Sequence, residues 1–368
     1  MLELMKSLKK RILCFGVIIL LEYILWNTSS IIRDHRFMKN VKNYSELLDI
    51  NNHTMSVNIK GESDEKNEST IIILPGFGSA SPIIEFQPLA EALSDKYKII
   101  TIEPFGYGMS DGTGDERSLR NIVNELHCCI EELHIDKYYL MAHSIGGLYS
   151  LYWANKYPEE VLGFIGIDIS VPGMENYSSY PLNMSVGQAA KYSTSLLKIF
   201  DTIGLTRVLI TFNYLDLFYR YNIINIDEYY QYTEEQMKIL KILSISRRNN
   251  KTLMKEGEYI DKNLKKLRNK KFPSNIPVLN FISSENVEID PYWETLHYNV
   301  MEDFKYNKVI ILQGQHYLHL DNKEIMSNKI KEWISFINDD KKLNNQSIIL
   351  QKEKDILMNI TLNSLKEE

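Results

Sequence analysis

The feature that most restricts the possible folds of this chain is a serine in a turn of small residues. The turn lies between an apolar run and a helical pattern. The apolar run is Tyr138–Met141, the turn is Ala142-His143-Ser144-Ile145-Gly146-Gly147, and the helical pattern is Leu148–Tyr157. Small residues two positions either side of the serine permit a strained backbone where larger side chains would collide with neighbouring elements. A strand, a sharp turn at a serine and a helix form the context of a nucleophile elbow. Since the motif alone is weak, the surrounding chain must supply that context.

Strand and helix patterns alternate on both sides of this turn. Short continuous apolar runs are typical of strands buried on both faces of a parallel sheet. Helical spacing separates these runs, which predicts a parallel α/β sheet with right-handed crossovers. The predicted strands are a pair within Leu47–Ile59 around Asn51-Asn52, then Ile71–Leu74, Tyr97–Ile102, Val161–Ile167, Ile276–Ile282 and Lys308–Leu312; the predicted helices between them include Pro82–Leu93 and Ser118–Leu133.

The alternation stops after Gly173 and resumes near Ile276. The intervening segment is rich in Tyr, Asn, Lys and Leu, with helical patches at Ser195–Ile203 and Thr233–Leu243, so we expect a helical insertion. The predicted domains are an N-terminal anchor and linker at 1–44, a core at 45–171 and 272–338, a helical cap at 172–271 and a C-terminal tail at 339–368.

Composition argues against several function classes. A net charge of -6 over 368 residues does not favour nucleic-acid binding, which calls for a basic face. Three cysteines, Cys14, Cys128 and Cys129, cannot form a disulfide framework, and no Cys/His cluster has the spacing of zinc ligands. No metal or organic cofactor is expected, and no protein partner is indicated.

The N-terminus predicts a membrane anchor. Four basic residues between Lys6 and Arg11 precede an apolar run, Ile12–Leu21, which resumes after Glu22 as Tyr23–Trp26. The polar segment Asn27–Ser30 follows, and the span is counted through Ile32. About 21 residues of helix would span roughly 30 Å, enough to cross a bilayer core. We favour an uncleaved single-pass signal anchor over a cleaved signal peptide or a buried helix. A cleaved signal peptide is disfavoured because no small-x-small cleavage site follows the apolar core. The basic start favours an extracytoplasmic main domain, although the basic residues between Arg33 and Lys42 reduce the charge asymmetry.

Acyl transfer by a serine requires a base and oxyanion donors beside the nucleophile. Ser144 is the candidate nucleophile. His316, just past the last predicted strand, is the candidate base, with His319 as the alternative; His143 is expected to point away from the serine. The candidate oxyanion donors are the backbone N–H groups of Phe77 and Ile145.

Four motifs in this order resemble those of the α/β-hydrolase superfamily, in its membrane-anchored bacterial branch. The resemblance covers about residues 45–338 without the cap, and it implies an α/β-hydrolase fold with a mostly parallel sheet and a helical cap. The motifs are Leu74-Pro75-Gly76-Phe77-Gly78 for the oxyanion loop, Glu103–Ser110 for Asp-x-x-Gly-x-Gly-x-Ser, Ala142–Gly147 for Gly-His-Ser-x-Gly-Gly and Gly314–His319 for Gly-x-His-x-x-His.

The acid of the triad departs from the family pattern. The family usually has Gly-x-x-Asp where this chain reads Ser283-Ser284-Glu285-Asn286, so Asn286 stands at the usual acid position. Two carboxylates are alternatives: Glu285, shifted by one residue, and Asp168, at the end of the strand where some lipases of the superfamily carry their acid. We prefer Asp168.

The sequence therefore predicts a serine hydrolase that cleaves an ester or amide of a small apolar molecule through an acyl-enzyme. Three alternatives stay open: a prolyl-type aminopeptidase, a lipid acyltransferase at the membrane, and a non-catalytic ligand-binding protein that kept the fold.

Overall fold

The computed structural model describes residues 2–41, 44–62, 70–176, 184–211, 230, 232–247 and 250–364, with no side chains described for residues 2, 4 and 344–364. Parts of the predicted cap, at 177–183, 212–229, 231 and 248–249, lie outside the described residues.

The described strands form one eight-stranded sheet in the order β1-β2-β4-β3-β5-β6-β7-β8. The first two strands pair antiparallel, and β2 also runs antiparallel to β4; the other pairings are parallel. The strands are β1 Glu46–Ile50, β2 His53–Lys60, β3 Thr70–Leu74, β4 Lys98–Glu103, β5 Tyr138–His143, β6 Val161–Ile167, β7 Val278–Ser283 and β8 Lys308–Leu312.

The central strands are apolar on both faces because helices cover both sides of the sheet. Every residue of β3, β5 and β7 is buried. One large core cluster contains Ile72 and Leu140, and a second contains their neighbours Ile71 and Tyr139. Side chains alternate between the two faces of a strand, so these clusters lie on opposite faces. The predicted fold class, a mostly parallel sheet flanked by helices, is confirmed.

The helices begin where the sequence supplies caps. The Ser81 side chain accepts a hydrogen bond from the N–H of Ile84 at 3.2 Å, and Ser118 caps the next helix in the same way. The helices are α1 Leu2–Asn40, α2 Pro82–Leu93, α3 Leu119–Glu132, α4 Gly146–Lys156, α5 Val186–Thr202, α6 Leu205–Thr211, α7 Glu234–Ser246, α8 Lys251–Leu267, α9 Ser284–Ile289, α10 Trp293–Asn299, α11 Leu318–Asp321 and α12 Lys323–Ser364, with a 3₁₀ turn at Met174–Asn176.

Helices α5 to α8 all lie between β6 and β7, where the sequence predicts an insertion. Asp261 of α8 accepts hydrogen bonds from the Ser185 hydroxyl at 2.5 Å and from the Gly187 N–H at 2.9 Å. These two bonds join α8 to the start of α5. The insertion is helical wherever it is described as regular structure.

Helix α1 is long and apolar enough to cross a membrane, judged by length and composition. An 18-residue window within Met5–Asn40 has a mean hydropathy of 1.8 and is not buried by the rest of the protein. At the other end of the chain, α12 runs past residue 338 into the predicted tail without a break.

Candidate active site

Ser144 stands in a sharp turn between β5 and α4, with a positive φ of 51°. Close packing around the turn explains its small residues. A β-carbon at Gly146 would lie 2.9 Å from the carbonyl oxygen of Pro75, and one at Gly147 would lie 2.5 Å from the Cβ of Ile169. Only glycine permits these approaches, so the elbow geometry follows from the local sequence.

Asp168 occupies the matching position on the next strand. Strands β5 and β6 run parallel, with His143 opposite Ile167, so Ser144 and Asp168 each follow the last residue of their strand at the same level. Asp168 also has a positive φ, of 44°. Such backbone conformations are uncommon outside glycine and concentrate at functional sites.

The carboxylate of Asp168 accepts a hydrogen bond from His316. The distance from His316 Nδ1 to Asp168 Oδ2 is 2.7 Å, and the Asp168 side chain is fully buried. Burial alone would raise the pKa of this carboxyl. The hydrogen bond and charge of His316, with bonds from Ser283 and Trp293, outweigh burial and hold its pKa below the usual value. The aspartate is therefore ionised, and it orients the imidazole.

Three further residues donate to this carboxylate. Ser283 donates its backbone N–H to Oδ1 and its hydroxyl to Oδ2, each at 3.0 Å. The indole N–H of Trp293 reaches Oδ1 at 2.9 Å, and the amide of Asn286 reaches Oδ2 at 2.5 Å. The buried charge is thus satisfied by hydrogen bonds on both oxygens.

Glu285 contacts a different part of the same loop. It lies in the first turn of α9, and its carboxylate accepts a 3.4 Å hydrogen bond from the side chain of Gln315. The structure brings Asp168, and not Glu285, to the Nδ1 atom of His316. Asn286, at the position where the family usually has its acid, is a hydrogen-bond donor to Asp168 instead.

The two other histidines of these motifs lie behind the site. His143 donates a hydrogen bond from Nε2 to the carbonyl oxygen of His316 at 3.1 Å, since a carbonyl can only accept. Burial, followed by the charges of His316 and His319, lowers the pKa of His143 well below its usual value. His319 is buried and stacks on Phe86 with ring centroids 4.3 Å apart. His316 alone of the three lines the cavity described next.

Ser144 and His316 open into one cavity of about 550 Å³. Phe77 and Ile145, whose N–H groups are the candidate oxyanion donors, also line it. The candidate oxyanion loop passes close to Ser144, because a β-carbon at Gly76 would lie 3.1 Å from the Cβ of Ser144. The remaining lining residues are Ser170, Met174, Val186, Ala189, Ala190, Ser193, Ile260, Asn286, Ile289, Asp290, Trp293.

Sequence reasoning did not identify the residues that support Asp168 and His316. Trp293 is 125 positions from Asp168 and carries no local motif, so only the fold could reveal the contact. Asn286 did carry a signal, because it replaces the usual acid. Among the described residues, no group of three or more His, Cys, Asp or Glu side chains could hold a metal ion.

Known proteins resemble parts of this chain in sequence. YbdG of Bacillus subtilis (strain 168), an uncharacterised protein, is 29% identical over 155 residues, which cover 40% of this chain and 46% of YbdG. A 2-(acetamidomethylene)succinate hydrolase of Mesorhizobium japonicum is 28% identical over 126 residues, which cover 34% of this chain and 43% of that enzyme. The matched segments thus span less than half of either relative.

The solved structure of the epoxide hydrolase CorEH superimposes with a TM-score of 0.58 at 16% identity, covering 80% of this chain and 99% of that one. At this identity the likeness concerns the fold alone. The model of the alpha/beta hydrolase fold family matches residues 69–323, well over half of the chain. The elbow, the parallel sheet and this match agree, and the chain therefore belongs to the α/β-hydrolase family.

Proposed function

We propose that this protein is a serine hydrolase that cleaves a carboxylic ester through an acyl-enzyme. The observation that carries the proposal is the 2.7 Å contact of buried Asp168 with His316, whose ring lines the same cavity as Ser144. An imidazole held by an ionised carboxylate can act as a general base beside a serine hydroxyl. The replaced acid at Asn286 would favour a non-catalytic protein, but the contact of Asp168 supplies a carboxylate to His316 and so supports a catalytic one.

In the proposed mechanism, Ser144 Oγ attacks the ester carbonyl carbon while His316 Nε2 takes the serine proton. The N–H groups of Phe77 and Ile145 stabilise the oxyanion, each contributing about 3 kcal/mol to barrier lowering. His316 then returns the proton to the leaving alkoxide, which departs as the alcohol. Water, deprotonated by His316, attacks the acyl-enzyme, and collapse of the second tetrahedral intermediate frees the acid and Ser144.

The cavity supports an apolar ester as the substrate. Its lining includes apolar side chains from the oxyanion loop, α5, α8 and α9, such as Phe77, Val186, Ile260 and Ile289. Among the described lining residues Asp290 is the one carboxylate, and it accepts a hydrogen bond from the Tyr292 N–H at 2.9 Å. A prolyl-type aminopeptidase needs acidic groups that bind an amine, so this lining favours an ester over a peptide N-terminus.

We further propose that α1 anchors the protein in a membrane with the catalytic domain on the extracytoplasmic side. The length and hydropathy of α1, and the exposure of the described side chains in its first half, support an anchor. The basic residues that precede Ile12 support the orientation.

Pre-steady-state kinetics with p-nitrophenyl butyrate test the acyl-enzyme. We expect a burst of p-nitrophenol of about one equivalent, provided that deacylation is slower than acylation, and trapping of a butyryl group on Ser144 after acid quench. Ser144→Ala should abolish both, while the matched surface variant Ser335→Ala, at an exposed serine of α12 that does not line the cavity, should keep the butyryl adduct. An adduct on another residue would contradict the proposal.

A further inference from the structure

Contacts between α1 and the rest of the protein begin at Tyr23. All residues from Met5 to Glu22 are exposed, whereas one face is covered from Tyr23 onward. The covered positions recur every three or four residues, as expected for one side of a helix. They are Tyr23, Trp26, Asn27, Ser30, Asp34, Phe37, Met38 and Val41. If α1 anchors the protein as proposed, the membrane surface lies near Tyr23 and Trp26, whose amphipathic rings suit that interface.

The end of α5 meets α1 at this same level. The Tyr23 hydroxyl donates a hydrogen bond to the carbonyl oxygen of Ile203, which directly follows α5. About three turns further along α1, Asp34 forms an ion pair with Arg207 of α6. These contacts place the C-terminal end of α5 at the surface of the membrane that α1 would cross.

Helix α5 carries an apolar stripe whose side chains are more than half exposed. Tyr192, Leu196, Ile199 and Ile203 are 65%, 53%, 57% and 56% exposed. Their spacing of four, three and four residues puts them on one face of the helix. A contiguous exposed apolar face of this kind marks a binding surface in a water-soluble domain.

The adjacent face of the same helix lines the active-site cavity. Val186, Ala189, Ala190 and Ser193 belong to the cavity wall. The 17 residues of α5 extend over roughly 25 Å, so the helix leads from the cavity to the contact with Tyr23. Across the cavity, Ile289 belongs to the wall and is itself 66% exposed, so the wall reaches the surface at an apolar side chain.

We infer that Tyr192, Leu196, Ile199 and Ile203 form a membrane-contact surface in the headgroup layer of the bilayer that α1 crosses. We also infer that the substrate is an amphiphilic lipid ester drawn from that layer; this second part rests on the proposed function. The stripe continues the uncovered apolar surface of α1 at the level where protein contacts begin, which favours lipid over a second protein as its occupant. Burial of the stripe among acyl chains removes apolar surface from water, as for interfacial amphipathic helices.

Site-specific labelling tests the surface independently of catalysis. In the full chain, alanine first replaces Cys14, Cys128 and Cys129. A single new cysteine is then introduced by Ile199→Cys or by the adjacent control Lys198→Cys. This cysteine is labelled with the fluorophore NBD, and the protein is placed in phosphatidylcholine vesicles. Lys198 is exposed on another face of α5, near Met254. We expect nitroxide-bearing lipid to quench NBD at position 199 and not at 198. Equal weak quenching at both positions, or a water-shielded label at 199 that lipid does not quench, would overturn the surface.

Hydrolysis by charge variants tests the substrate class. Leu196→Glu with Ile199→Glu changes the net charge by the same amount as the control Lys198→Glu. The double variant should hydrolyse dissolved p-nitrophenyl butyrate within about twofold of wild type, but mono-oleoylglycerol in phosphatidylcholine vesicles about tenfold more slowly. The control should keep both rates. Equal rates on vesicles for the double variant and the control would overturn the inferred substrate class. A wild-type chain that is inactive on both esters would refute the proposed function. The membrane-contact surface would then be tested by the labelling experiment alone.

Discussion

At the scale of single residues, the site is decided by which carboxylate reaches one imidazole nitrogen. Asp168 is held by His316, Trp293, Asn286 and two groups of Ser283. A fully buried carboxylate is tolerated only when donors replace its lost water, and this set of donors does so. The side-chain nitrogen of Asn286 lies 2.5 Å from Asp168 Oδ2, so the family's usual acid position and the one proposed here are neighbours in space.

Because positions 168 and 286 are neighbours, we predict that exchanging the aspartate and the asparagine between them restores part of the activity that Asp168→Asn loses. Asp168→Asn should lower kcat/KM on the order of 10³- to 10⁴-fold, because the imidazole loses its anionic partner. The double variant Asp168→Asn with Asn286→Asp again has one carboxylate beside His316, now at position 286. We expect its kcat/KM to recover at least about tenfold relative to Asp168→Asn alone. Asn286→Asp alone, which crowds two carboxylates, is the control and should reduce activity. No recovery in the double variant, with both proteins folded by circular dichroism, would contradict the assignment of Asp168.

The sequence identified Ser144 and His316 as candidates because each lies in a local motif with a characteristic spacing. It favoured Asp168 but kept Glu285 as the alternative, since both follow strands and both are carboxylates. Their difference is tertiary: Asp168 follows β6 in register with Ser144, whereas Glu285 turns toward Gln315.

At the scale of secondary-structure elements, the elbow depends on how closely α4 approaches the strand ends. A β-carbon at Gly147 would lie 2.5 Å from the Cβ of Ile169, so Gly147→Ala must displace α4 or the chain after β6. We expect this change to cost about 1–3 kcal/mol in the free energy of unfolding and to reduce activity. Gly114→Ala, where an added carbon meets nothing within 4 Å, is the matched control. Urea unfolding of both variants with the same free energy would show that this packing is not needed.

Most strands could be predicted because continuous apolar runs mark strands buried on both faces. The run Val161–Ile167 coincides with β6, which is buried on both faces, and the run Lys308–Leu312 coincides with the edge strand β8, which is partly exposed. Helix α5 is longer than its predicted patch, Ser195–Ile203, since it starts at Val186. Its first turns are fixed by a capping box between Ser185 and Gln188, a polar signal that apolar periodicity does not detect.

At the scale of the whole molecule, the insertion is joined to the core mainly through α8. Glu256 of α8 accepts hydrogen bonds from the hydroxyls of Tyr107 at 2.8 Å and Tyr149 at 2.6 Å, all inside the protein. Burial raises the pKa of Glu256, against the lowering effects of Arg117 and the two tyrosines. Helix α5 has a buried Gly187 and Thr194 but presents its apolar stripe outward. These long-range contacts have no sequence signature, so the sequence predicted an insertion but not its attachment.

Membrane extraction tests the anchor at this scale. We expect the full chain to stay in the membrane fraction after an alkaline carbonate wash, because α1 presents an uncovered apolar surface over Ile12–Leu21. Ile18→Arg with Leu21→Arg places two charges in that segment, at about 2.5–3.5 kcal/mol each, and should release the protein. Release of the unaltered chain would contradict a membrane anchor.

Fluorophosphonate labelling read by intact mass, with the modified peptide mapped, tests the central claim most directly. A fluorophosphonate reacts with a serine only when a base and oxyanion donors activate it. We predict one adduct, on Ser144, that is lost in Ser144→Ala and His316→Ala, strongly reduced in Asp168→Asn and retained in Glu285→Gln. An adduct that survives Ser144→Ala, or labelling that depends on Glu285 and not on Asp168, would contradict the account.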